Sequence, residues 1–491
     1  MRLAPILGGA AVAGAIAVGF VVIPAQSRPA PAAVAAPRER AVYVRPMPAP
    51  RADAYRAGGV PLRDAEAERI LVELADASVR EAPISLAAPA SFLGPVAEAW
   101  GRLLAAWGAW TARELDDPDP ETETELRAAV RAFDDALAAA GLGYFVEARI
   151  RGKRGDQKAF LRTFLVEEVT LLSADDRTYA IPSLRQIDHV SIRQGAMGLE
   201  SPDLGAIVIV DAIARYALTE VLPALARDAA FNLGTKGWQV TRTGTRMGKL
   251  AGEVVRRELL AALGADAAAA QTIAERLARR GALVAGWRVV MRKGGLYLPA
   301  DELARVADKV APAEHAEVLA IEDELERLEA PRILAALEAL VAASVRRHEL
   351  AHVVDRARTP PLPYPGLLED VAGPDLEVGT SRVFRARGEL VGYLSQLIDD
   401  PITPHLTLWG AATAAFSTDG SAEASAGTVI LQGLAKQLDV DVEQRPDEDR
   451  RLYLTRLAEP LAGLDGPQLR RFALALWLEL YDVPHVPVSD G

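Results

Sequence analysis

Residues 331–358, PRILAALEALVAASVRRHELAHVVDRAR, run from Pro331 toward Pro360 with no helix-breaking residue between. Proline is accepted in the first turn of a helix and ends one from within. The stretch therefore predicts one long helix. Leu334, Val341, Val345, His348, His352 and Asp355 recur along it at steps of three, four or seven, which puts them on one face. Two histidines one turn apart can aim both imidazoles at a single point. Glu349 lies about 100° further round the axis, within reach of a water at that point. Apolar residues flank the pair and continue its face, which disfavours a solvated surface turn.

The chain has 491 residues and only six histidines, so this pairing stands out. It has no cysteine, which excludes disulfides, thiolate metal sites and cysteine nucleophiles together. Any metal must be held by His, Asp or Glu. Two neutral nitrogens with a carboxylate nearby are what zinc-assisted hydrolysis requires. The formal net charge of -12 argues against nucleic acid as a partner.

The start of the chain has a different character. Residues 3–23 carry no charge and follow Arg2; they are long enough to cross a bilayer. An uncleaved anchor is favoured over a cleaved signal, because the small-x-small stretch at 33–35 lies well past the apolar run. Residues 24–60 alternate proline with alanine and arginine, a composition that reads as an extended tether. The expected organisation is an anchor or signal at 1–25, a tether at 26–60, an α+β domain with a small antiparallel sheet at 61–225, and a helical metallohydrolase domain at 226–491. The fold class expected is α+β, predominantly helical. The Ala-, Arg- and Gly-rich composition suits a bacterial cell, with the protein facing the periplasm or exterior, or secreted if the first segment is cleaved.

Within 61–225, apolar residues three and four apart predict helices up to about 142. YFVEARI (144–150), FLRTFLVEEVTLL (160–172), TYAIPSL (178–184) and GAIVIVDA (205–212) read as strands. Later, ALVAGWRVVMRKGGLYLP (282–299) is a further strand candidate, with a possible role in pairing to an extended substrate. Gly244 to Lys249 falls one residue short of a phosphate loop and lacks its hydroxyl residue, so it is set aside.

His348-Glu349-Leu350-Ala351-His352 resembles the HExxH zinc metallopeptidases, the zincins, over this one helix. The resemblance implies His348 and His352 as zinc ligands and Glu349 as general base. Asp355 and Arg358 stand where the metzincin branch has Gly and His, which excludes that branch. What remains is similar to the gluzincins, which implies a glutamate from a later helix as third ligand.

Glu389, in the helical stretch 381–399, is the leading candidate. Glu423 and Asp355 stay open, Asp355 also as an acceptor that orients an imidazole. Tyr393, one turn past Glu389, is a candidate oxyanion donor. His405, in a proline-punctuated loop, is a second. The expected function is a membrane-tethered zinc metallopeptidase acting on a protein or peptide. The competing expectation is a membrane-tethered binding or scaffold protein whose zinc site is structural or vestigial.

Overall fold

The computed structural model describes residues 62–112, 120–151, 158–188, 197–201, 205–222, 257–287, 303–304, 306–372, 382–417 and 420–490. These all belong to one unit, Pro46–Gly491. The expected anchor, the tether and Gly244 to Lys249 lie outside the described residues. Among those described, no helix is long and apolar enough to cross a membrane.

Three helices come first: α1 (Ala65–Ser78), α2 (Pro95–Ala112) and α3 (Pro120–Ala139). They bury an aromatic cluster of Phe92, Trp100 and Phe133 with ring centroids 5.5–5.7 Å apart. The same core reaches Tyr144 and Leu161 of the sheet. Strands β1 (Tyr144–Arg151), β2 (Lys158–Ala174) and β3 (Arg177–Gln186) form an antiparallel meander. The two-residue turn between β2 and β3 uses Asp175 and Asp176, both with positive φ, as hairpin geometry demands.

The sheet departs from the expectation of a small antiparallel one. Its order is β1-β2-β3-β5-β4, where β4 is Gly198–Ser201 and β5 is Gly205–Ile209. β5 runs parallel to β3. Every residue of β5 is buried, the signature of a strand covered on both faces. A sixth strand, β6 (Ser489–Asp490), comes from the far end of the chain and pairs with β2 at Leu172 and Ser173.

The chain then turns helical: α4 (Val210–Tyr216), α5 (Ala267–Gly286), α6 (Pro312–Arg327), α7 (Ala330–Ala357), α8 (Gly366–Ala372), α9 (Arg382–Asp399), α10 (Pro404–Ala415), α11 (Ala422–Lys436), α12 (Arg450–Leu461) and α13 (Gly466–Tyr481). α4 continues into a π-helical turn, Ala217–Val221. The fold is predominantly helical with one mixed sheet.

Two local expectations are corrected. Residues 282–286 are the last turns of α5, and 288–299 lie outside the described residues. Val284 and Trp287 are buried against Val306 and Val318, so packing of a helical face decides the conformation there. His405 sits in the first turn of α10. Pro404 starts that helix, as proline at the first position does, and does not mark a loop.

One core runs across residue 225. Ile181 and Val208 of the sheet share it with Val345 and Leu350 of α7, and with Leu390 and Leu394 of α9. α7 buries residues on more than one side, including Leu337, Val341, Leu350 and Val354. The sheet lies against one side and α9 against another.

After α11, the connection to α12 is clipped by Arg456. Its guanidinium donates to both oxygens of Glu448, at 2.8 and 2.9 Å, and to the main-chain oxygens of Glu443 and Asp441. The Arg456 bond pulls the Glu448 carboxyl from 4.5 to about 2. A depressed carboxyl stabilises the fold above its unfolded value and loses that contribution as pH falls toward the folded one. Glu448→Gln is thus expected to be less stable than wild type at pH 7. In chemical denaturation the two should converge between pH 4.5 and about 2. A gap that stays constant over that range would show that the pair contributes nothing through its charge.

Candidate metal centre

The site forms where α7 and α9 lie side by side, antiparallel. Their pairing can be read residue by residue in steps of four. A Cβ on Gly388 would meet the His352 ring at 3.8 Å. A Cβ on Gly392 would come within 2.6 Å of Cε1 and 2.7 Å of Nε2 of His348. One step further, Gln396 Nε2 lies 2.8 Å from Ser344 Oγ. Glycine costs a helix interior roughly 0.5–1 kcal/mol relative to alanine, and at 392 it leaves the space the His348 ring fills.

The donor atoms of His348, Glu349 and His352 all lie within 4.8 Å of one another. The two imidazoles stand edge to face, 4.7 Å between centroids. From α9, Glu389 Oε2 approaches His348 Nε2 to 3.5 Å. Two imidazoles and a carboxylate are a donor set that suits zinc. The third sheet-side wall comes from β4. A Cβ on Gly198 would fall 2.5 Å from Oε1 of Glu349, so the bare backbone there admits the glutamate. Glu349 is 7% exposed, and a buried carboxylate needs a reason to be there.

The electrostatics follow from this crowding. Burial opposes charge on His348, yet its bond to Glu389 and the charge of Glu349 outweigh burial and raise its pKa above the ordinary value. His352 goes the other way: burial, reinforced by His348, pushes it down to about 3. Burial alone would raise Glu389, but the two histidines hold it below the usual carboxylate range. The two histidines are therefore shifted in opposite directions. Tyr393 is raised by burial and then by the charges of Glu389 and Glu423, so its hydroxyl keeps its proton. Its ring packs edge-on against His348 at 5.0 Å.

Of the three acids weighed as third ligand, Glu389 is the one whose carboxylate faces a motif histidine. Glu423 is exposed in the first turn of α11, where the helix dipole favours an acid. Asp355 does not orient an imidazole. It is 5% exposed, and its Oδ2 accepts from Arg387 Nη2 at 3.0 Å. Burial raises its pKa, opposed by Arg387, Arg358 and Arg356. The reason is directional: a residue one turn past His352 on α7 meets position 387 of α9.

His405 lies outside this constellation. Its Nδ1 is 2.5 Å from Glu258 Oε2 and its Nε2 is 2.6 Å from the Leu464 main-chain oxygen. Both ring nitrogens are committed to holding α10 against neighbouring segments. Sequence reasoning missed Gly198, Gly392, Gln396, Ser344 and Asp400. Two of these carried a signal: Ser344 is one turn before His348, and Gln396 is two turns past Glu389, on the ligand face of each helix.

Comparison with protein families, curated proteins and solved structures finds no match to this chain.

The two helix glycines make a controlled test. Gly392→Ala is expected to displace His348, abolish tight zinc binding and cost about 1–3 kcal/mol of stability, as overpacking does. Gly388→Ala, whose Cβ would sit 3.8 Å from the ring, should bind zinc as wild type does. Calorimetric zinc titration of both variants checks this. Equal behaviour of the two would contradict the register.

Proposed function

We propose that the protein is a zinc-dependent hydrolase, a peptidase by preference, of the HExxH type. The observation that carries this is the approach of Glu389 to His348 from a second helix. That contact completes two histidines with a carboxylate while Glu349 stays beside them. In this reading His348, His352 and Glu389 hold the ion, and the site's third protein ligand leaves a position open to water and substrate. Bound zinc would supply Lewis acidity, acidifying a water and polarising a carbonyl.

The chain's own groups do the rest. Glu349 takes a proton from the attacking water and passes it to the leaving amine. Its low exposure and its seat against the Gly198 backbone fix the carboxylate for that transfer. Tyr393, held protonated, donates a hydrogen bond to the oxygen that becomes negatively charged. β4 ends the sheet order and touches Glu349 through Gly198. It takes the role that 282–299 was expected to fill, offering main-chain groups to an extended peptide. The apolar segment at 3–23 would tether this domain to a membrane, with the proline-rich stretch as spacer.

The test is a pair of measurements on Glu349→Gln. The zinc-loaded wild type is expected to cleave members of a random peptide mixture, read by mass spectrometry. Glu349→Gln should retain zinc and lose turnover by at least about 100-fold, the scale of one general base. Zinc held by both proteins with no cleavage by either would instead favour a structural site on a binding or scaffold protein.

A further inference from the structure

His348 can hold a metal through Nε2 only if its proton sits on Nδ1. Something must fix that choice, and the structure contains a hydrogen-bond chain whose direction is determined from its far end. Asp400 is 3% exposed at the end of α9. Its Oδ1 accepts from the backbone N–H groups of Ile402 and Thr403, at 2.9 and 2.8 Å. Its Oδ2 takes the hydroxyls of Thr403 and Ser344, both at 2.9 Å. A carboxylate only accepts, so the single hydroxyl proton of Ser344 points at Asp400.

Ser344 then has lone pairs left for Gln396, which approaches at 2.8 Å and must present its Nε2–H there. That turns the amide oxygen of Gln396 toward His348, where Oε1 lies 3.2 Å from Nδ1. An acceptor at Nδ1 calls for a proton on Nδ1, which frees the Nε2 lone pair for a metal on the side where Glu389 lies. The reverse amide orientation would set two acceptors, Gln396 Oε1 and Ser344 Oγ, against each other. Ser344 and Gln396 are 2% and 9% exposed, so water does not offer an easy substitute.

We propose that Asp400, Ser344 and Gln396 are positioning residues that fix His348 as its Nδ1–H tautomer and so deliver Nε2 to the metal. This rests on the zinc reading above for its purpose, and on the hydrogen-bond geometry alone for the tautomer. His348 is one turn from Ser344 on α7, and Asp400, just past the end of α9, is one turn from Gln396, so the chain is built into the helix register.

The test has two readouts on the full chain. Zinc affinity is measured by competition with a chelator of known affinity. Gln396→Leu is expected to weaken binding about 10–100-fold, the usual cost of losing such a partner. Ser344→Ala should weaken it less. The double variant should bind no worse than Gln396→Leu, because Ser344 acts through Gln396. Wild-type affinity in Gln396→Leu, or additive losses in the double variant, would overturn the proposal.

The second readout is long-range 1H–15N correlation of 15N-histidine protein, assigned against His348→Ala. A proton on Nδ1 of His348 is expected with zinc, and also without it, where Nε2 faces the Glu389 carboxylate. A His348 ring whose Nδ1 carries no proton would overturn the proposal even if every variant misfolds. A wild type that binds no zinc but shows Nδ1–H would defeat the zinc reading and leave the positioning chain standing.

Discussion

The close antiparallel contact of α7 with α9 is the constraint on which the site depends. Steps of four on each helix face steps of four on the other, so a residue's partner is set by register. Gly388 meets His352, Gly392 meets His348, and Gln396 meets Ser344. A slip of one residue would turn each side chain by about 100° and dissolve all of these pairings together. Gly392 lets the His348 imidazole lie between the helices. Without that space His348 would be forced outward, where solvent and rotamer freedom would scatter it.

The sheet completes this arrangement from the other side. Because α7 is sandwiched between α9 and the strands β4 and β5, its buried residues wrap more than one face. That is why its apolar pattern is broad. Glu349 points toward β4 while His348 and His352 point toward α9. One helix thus serves two walls, and Glu349 and the two histidines approach the site from adjacent directions. The C-terminal strand adds to the same frame. Arg347, buried on α7, pairs with Asp490 of β6 at 3.0 Å, and Arg346 pairs with Glu168 of β2.

Much of this was legible from local signals. The proline-bounded run at 331–358 predicts α7, found at Ala330–Ala357. Alternation and apolar runs predict β1, β2, β3 and β5. Glu389 is recognisable because it sits among apolar residues on a helix that follows the motif. The misreadings share a cause, which is that a partner distant in sequence decides them. Asp355 faces Arg387, His405 faces Glu258 and Leu464, and the parallel pairing of β5 with β3 needs a crossover that no local pattern reveals. Gln396 and Asp400 look like ordinary helix-end residues until α7 is set beside them.

The central claim is that His348, His352 and Glu389 form one zinc site. Metal content of the purified full-length chain by inductively coupled plasma mass spectrometry tests it most directly, beside His348→Ala, Glu389→Ala and Glu423→Ala. The account predicts one zinc per chain in the wild type and in Glu423→Ala, with loss in the other two. A well-folded wild type that stays zinc-free when zinc is supplied, or a Glu389→Ala variant that retains stoichiometric zinc, would contradict it.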